Sequence, residues 1–134
     1  MLTPDQAMEQ ANTVLAHAWM VRTFLKHSEE IEDDEDMLEV HRTIFDAVRK
    51  LESSYQNKDA KEYIRRLKGK VPKLRRVAEF FAAEYKNVTT HTNFEMASIS
   101  LLGVVQHLTE LLDELQIAKE SQETSDNDQQ PEGI

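Results

Sequence analysis

The sequence predicts an all-α protein folded as an antiparallel, up-down four-helix bundle. Only three glycines and three prolines occur in 134 residues, which is too few for an all-β fold with a turn about every 8–12 residues. Apolar residues recur at alternating spacings of three and four along four segments, as on one face of an α-helix. These segments have similar lengths and short connectors, so we expect neighbouring helices to pack antiparallel.

The composition indicates one globular domain followed by a polar tail. Apolar residues make up 40% of the chain and charged residues 31%, with a net charge of −9, as in a soluble protein. The absence of cysteine excludes disulfides, Cys-ligated metals and thiol catalysis. No signal peptide or apolar run of about 18 residues occurs, so we expect a cytoplasmic protein without membrane contact.

The first two helices are separated by an acidic connector. Thr3-Pro4-Asp5-Gln6 is a capping box with proline at the first helical position. The apolar stripe that follows consists of Ala7, Ala11, Val14, Ala18, Val21 and Leu25. Between Glu29 and Glu39 the chain has eight carboxylates and no basic residue, which places negative charge at the N-terminus of the second helix. The stripe of that helix consists of Met37, Ile44, Val48, Leu51 and Tyr55.

The third helix is interrupted in sequence but not in register. Its stripe consists of Ala60, Ile64, Leu67, Val71, Leu74, Ala78, Phe81 and Tyr85. This stripe keeps its phase through Gly69 and Pro72, so we expect a kinked helix or a local break there.

A second capping box, Thr92-Asn93-Phe94-Glu95, predicts the start of the fourth helix. The bundle domain is accordingly assigned to residues 1–119. Residues 120–134 are polar and acidic with almost no apolar content, and we expect them to form a disordered tail.

Three polar residues on apolar stripes are candidate ligand-binding residues. Helical periodicity turns Arg22 and His41 inward and puts Glu79 at the edge of the third stripe. Counting axial rise puts all three at a similar height in the bundle, so we expect one buried network. An inward His41 beside Arg22 should favour its neutral form. By the same counting, Glu52 and Lys68 form a candidate ion pair.

The third helix carries 8 of the 16 basic residues, and its exposed face is the candidate partner-contact surface. The candidates are Arg65, Arg66, Lys70, Lys73, Arg76 and Phe80. Because the whole chain is acidic, a protein partner or self-association, including a homodimer, is favoured over nucleic acid.

The five histidines do not have the spacing of a metal site. Glu-x-x-His, His-x-x-x-His and His-Glu-x-x-His are all absent. We therefore expect no metal and no cofactor, and we identify no catalytic residue.

The segment Arg22-Thr-Phe-Leu-Lys-His27 resembles the Arg-x4–6-His motif of the HEPN family, helical-bundle proteins that include RNA-cleaving toxins. The resemblance covers these six residues. It implies an RNA-acting dimer in which Arg22 and His27 line a site between paired subunits.

The sequence thus leaves three hypotheses about function. The first is a non-enzymatic, acidic helical-bundle protein that acts as a protein-interaction or assembly module, and the missing catalytic spacing favours it. The second is a small-ligand receptor or small enzyme that uses Arg22, His41 and Glu79. The third is the HEPN-like dimer.

Overall fold

The computed structural model of the protein describes residues 1–129, and these residues form four α-helices and no strand. The helices are α1 Pro4–Lys26, α2 Glu35–Gln56, α3 Ala60–Glu84 and α4 Thr92–Gln129. Two short 3₁₀ helices, Glu29–Ile31 and Tyr85–Asn87, lie in the connections after α1 and α3. The predicted all-α four-helix bundle is confirmed.

Each helix packs against the next one in sequence, and α4 closes the bundle against α1. In addition, α1 meets α3 across the centre of the bundle. The apolar stripes of all four helices join in one core, whose largest fully buried side chains include Tyr63, Phe81 and Phe94. No helix within residues 1–129 is long and apolar enough to cross a membrane.

The first three helices begin at side-chain caps. Thr3 and Gln6 form the predicted capping box of α1. In α2, Asp34 Oδ1 accepts a hydrogen bond from the Met37 N–H at 3.1 Å, so one connector carboxylate caps the helix, where it also meets the positive end of the helix dipole. In α3, Asp59 Oδ1 accepts from the Glu62 N–H at 3.2 Å.

The cap of α4 differs from the sequence prediction. The Nδ1 atom of His91 accepts a hydrogen bond from the Asn93 N–H at 3.0 Å. The His91 carbonyl accepts from the N–H groups of Phe94 and Glu95. Thr92 is therefore the first helical residue rather than the cap, because the ring nitrogen of the residue before it supplies the acceptor that a threonine hydroxyl usually provides.

Helix α3 is not broken at Gly69 or Pro72. The buried residues Leu67, Val71 and Leu74 anchor the helix on both sides of the proline. Because proline has no N–H, the Lys68 carbonyl lacks the usual hydrogen bond from the residue four positions later. Tertiary packing of the stripe therefore holds the helix together through a residue that weakens it.

Helix α4 continues ten residues beyond position 119, through part of the segment predicted to be disordered. Residues 120–124 are exposed, and Gln116 Nε2 donates a hydrogen bond to Glu120 Oε1 at 3.0 Å. No glycine or proline occurs between Gly103 and Pro131, so no helix-breaking residue ends α4 near residue 119. Residues 130–134 of the predicted tail lie outside the described residues.

Two tyrosines lie near the connection between α2 and α3, and we expect their replacement by phenylalanine to change the free energy of unfolding in opposite directions. Tyr63 is fully buried, and its hydroxyl has no hydrogen-bond partner among the described residues; burial raises its pKa. The Tyr55 hydroxyl donates to Glu9 Oε2 at 2.9 Å. We expect Tyr63→Phe to raise the free energy of unfolding by about 1 kcal/mol, because it removes an unpaired buried polar group, and Tyr55→Phe to lower it by about 1 kcal/mol. Urea unfolding measures both, and a loss of stability in Tyr63→Phe would contradict the assignment.

Candidate functional site

Arg22 of α1 packs against two aromatic rings where α1 meets α2. Its Cζ atom is 4.6 Å from the centroid of the Trp19 ring and 4.8 Å from that of the Phe45 ring. The two rings are themselves 5.8 Å apart. The Nε atom of Arg22 is buried and has no hydrogen-bond partner among the described residues. The guanidinium is thus held by cation–π contacts rather than by a carboxylate.

His41 lies one helical turn before Phe45 on α2 and is partly buried. Burial lowers the pKa of His41, and the positive charges of Arg42, Arg22 and Lys26 lower it further, against a smaller opposing effect of Glu39. The lowered pKa favours the neutral form of His41.

Glu79 does not join these two residues, so the predicted three-residue network is wrong. Glu79 is exposed, and no hydrogen bond or ion pair within residues 1–129 links it to Arg22 or His41. Four residues earlier on α3, Arg75 donates a hydrogen bond to Thr109 Oγ1 of α4 at 2.6 Å. Because residues four apart share a helix face, Glu79 lies on the α4 side of α3, away from α2.

His27 is exposed and caps the C-terminus of α1. Arg22 instead faces α2. The two residues of the HEPN-like motif therefore lie on different faces of one helix and do not share a site within this chain.

The basic residues of α3 differ in how far contacts within the bundle occupy them. Arg65 and Arg66 both hydrogen-bond the Glu62 carboxylate, and these bonds lower the pKa of Glu62 to about 2. Arg66 also donates to the Lys50 carbonyl of α2 at 3.0 Å. Both arginines are thus occupied by contacts within the bundle, at least in part.

Around α3, at about 100° per residue, Arg76 lies about 20° from Arg65, and Lys73 lies about 20° from Arg66. Burial lowers the pKa of Lys70, and the charges of Lys73 and Lys50 lower it further. Arg76 is exposed and Phe80 is partly buried. Arg65 and Lys70 are about 140° apart around the helix, at about 100° per residue, and the other four predicted residues lie within this arc.

The predicted Glu52–Lys68 ion pair does not form. Glu52 Oε2 instead lies 3.2 Å from Arg49 Nη1 on its own helix. Lys68 belongs to a different feature, a groove between α3 and α4.

This groove has a volume of about 920 Å³. Helix α3 lines one side, helix α4 lines the other, and residues 1–4 close one end. Apolar side chains form its floor: Leu2, Ile64, Leu112, Leu115 and Ala118. Basic side chains lie along its rim: Lys61, Arg65, Lys68 and Lys119. We call it the basal groove.

The sequence contained a signal for the basal groove that was not recognised. Ile64 and Lys68 are four residues apart on α3, and Leu115 and Lys119 are four residues apart on α4. Each pair puts an apolar and a basic side chain on one face, at adjacent helical turns. Except for Gln122, the α4 residues that line the groove lie within the predicted domain of residues 1–119.

Within the part of the chain that the structure describes, no three histidine, aspartate or glutamate side chains are grouped closely enough to hold a metal ion.

Replacing His41 by leucine tests its position. In the wild type the unfolded chain takes up the His41 proton at a pKa of about 6.5, whereas the folded state takes it up less readily because its pKa is lowered. The folded state therefore loses stability as pH falls below about 6.5. His41→Leu should abolish this contribution, so its stability relative to wild type should be greater at pH 5.5 than at pH 8. Urea unfolding at both values provides the measurement; an unchanged difference would show that His41 is solvated or paired.

Comparison with models of known protein families, with curated proteins and with solved structures gives no match.

Proposed function

We propose that this protein is a non-enzymatic protein-interaction module that binds an amphipathic, acidic segment of a partner protein in the basal groove. The observation that carries the proposal is the pairing of an apolar floor with a basic rim in a chain whose net charge is −9. Positive potential in this groove is therefore local and opposite to the charge of the whole protein.

The charges in the groove favour a carboxylate-bearing occupant. Its basic residues outnumber its two acidic residues, Asp59 and Glu62. Asp59 accepts a backbone hydrogen bond as the cap of α3, and Glu62 is held by Arg65 and Arg66. Lys61, Lys68 and Lys119 have no ion pair within residues 1–129. These three lysines are placed to attract acidic residues and to repel a basic partner.

The shape of the groove favours a helical or extended segment. Its lining runs along α3 from Asp59 to Lys68 and along α4 from Leu112 to Gln122, about 15 Å of each helix at 1.5 Å per residue. Two parallel walls with an apolar floor suit an amphipathic segment that inserts its apolar face between them. The rim lysines would then meet acidic residues beside that face.

A designed peptide provides the test. We expect a fluorescein-labelled amphipathic helix with leucines at helical spacing and glutamates elsewhere to bind the wild type, as measured by fluorescence polarisation. The double variant Lys68→Glu/Lys119→Glu should bind it about tenfold more weakly, since two rim charges are reversed and tenfold corresponds to about 1.4 kcal/mol.

Two controls separate this site from general attraction between charges. Lys73→Glu changes the same charge on the α2 side of α3 and should leave the affinity within about twofold. A peptide with lysines in place of the glutamates should not bind. Equal binding of both peptides, or equal losses in Lys73→Glu and in the double variant, would refute the proposal.

A further inference from the structure

We propose that Arg22, Lys26 and His41 form a second binding site, where α1 meets α2, for a doubly charged oxyanion such as the phosphate group of a small molecule. The site lies on a different pair of helices from the basal groove, and it does not depend on the proposed partner. We call it the Arg22 site.

The first argument is the state of the Arg22 side chain. The Arg22 Cζ atom lies 4.6 Å from the Trp19 ring centroid and 4.8 Å from the Phe45 ring centroid, so both rings restrict the guanidinium before any ligand arrives. The buried Nε atom has no partner within the described residues. A buried donor without an acceptor is costly, and no acceptor of the described residues competes with a ligand for this side chain.

The second argument is the distribution of ion pairs around the Arg22 site. Arg42 is 3.4 Å from Glu35, and Arg49 is 3.2 Å from Glu52, so these neighbouring arginines have carboxylate partners. Arg22 and Lys26 have none within residues 1–129. The two cations one helical turn apart on α1 are therefore the ones that lack an anion.

The third argument concerns the ligand class. Arg22 and Lys26 supply two positive charges, and a guanidinium binds two oxygens of a phosphate group at once. A doubly charged oxyanion would balance these two charges, whereas a single carboxylate would leave one unbalanced. His41 lies opposite and can donate a further hydrogen bond, and in its protonated form it would add attraction.

The pH dependence follows from the groups around His41. Arg42 and Glu39 act on it from α2, and Arg22 and Lys26 act on it from α1. In the absence of an anion these charges oppose protonation. A bound dianion offsets them, so binding should be accompanied by proton uptake and should strengthen as pH falls.

Sulfate is a suitable probe because it remains doubly charged between pH 5.5 and 8. Trp19 is the only tryptophan, so its fluorescence reports on the ring that contacts Arg22, and calorimetry provides a second readout. Titrations are carried out at constant ionic strength with sodium chloride, because salt screens exposed charges. We expect saturable binding that is at least about threefold tighter at pH 5.5 than at pH 8, and no saturable binding of acetate.

Variants decide whether the site is the one proposed. Arg22→Met keeps an apolar side chain against the two rings and should weaken sulfate binding at least about tenfold, because a charged hydrogen-bonded contact is lost. If the Arg22→Met variant does not fold, the Arg22→Lys variant is measured instead. We expect it to bind sulfate severalfold more weakly than the wild type does. His41→Gln should bind equally at both pH values. The matched control is Arg49→Met, since Arg49 is 5.9 Å from the same Phe45 ring but already paired, and it should bind as the wild type does.

Three results would overturn the proposal. These are the absence of saturable sulfate binding to the wild type in both readouts, an unchanged affinity in the folded Arg22 variant, and acetate binding as tight as that of sulfate.

Discussion

Replacing Phe81 by alanine is expected to lower the free energy of unfolding by about 3–5 kcal/mol, the largest single effect in the bundle. Phe81 is fully buried in an aromatic cluster where the C-terminus of α3 meets the N-terminus of α4. Its ring centroid is 5.8 Å from that of Tyr85 and 6.3 Å from that of Phe94, and Phe94 in turn contacts Phe24 of α1 at 5.2 Å. Removing the ring leaves a cavity that three elements must collapse to fill.

The adjacent residue provides the control for this change. Phe80 is only partly buried, so Phe80→Ala should cost less than half as much as Phe81→Ala in urea or thermal unfolding. Similar losses in the two variants would show that the register of α3 differs from the one described.

Replacing Pro72 by alanine is expected to raise the free energy of unfolding by about 1–3 kcal/mol. Proline in a helix interior is less favourable than alanine by about 3 kcal/mol, and an alanine N–H restores a donor to the Lys68 carbonyl. Part of this gain is offset, because proline also restricts the unfolded chain. Pro72 is exposed, so the substitution disturbs no core contact.

Gly69→Ala isolates the effect of helix propensity. A Cβ atom at Gly69 has no neighbour within 4 Å, so alanine should be accepted without a clash and should stabilise the protein by about 0.5–1 kcal/mol. A Pro72→Ala variant less stable than the wild type would mean that the bundle depends on the geometry that proline imposes on α3.

The architecture could be predicted from sequence because it depends on local patterns. The stripes around Val14, Ile44, Leu74 and Leu108 have helical periodicity, and a helix with one apolar stripe must bury that stripe. The unbroken register through Gly69 and Pro72 likewise indicated one continuous α3. Helix ends were less predictable at α4, where His91 replaces the expected hydroxyl cap.

The candidate sites could be predicted only in part, because a helical wheel gives an angle and not a neighbour. Arg22 and His41 were predicted to lie together because both lie inside apolar arcs of consecutive helices, and the charge of Arg22 lowers the pKa of His41. Glu79 was misplaced because a position at the edge of a stripe can face either adjacent helix, and only the packing shows that it faces α4. The basal groove depends on residues from three separate segments, and no single segment contains its pattern.

The function proposed for the bundle depends on where an acidic, amphipathic segment binds. The most direct test is the ¹H–¹⁵N NMR spectrum of the full chain, titrated with the glutamate-bearing peptide. We predict that the shifts are largest for Ile64, Lys68, Leu115 and Lys119 in the basal groove. Shifts centred instead on the exposed apolar residues Met96 and Ile99 of α4, or the absence of shifts in the basal groove, would contradict the account.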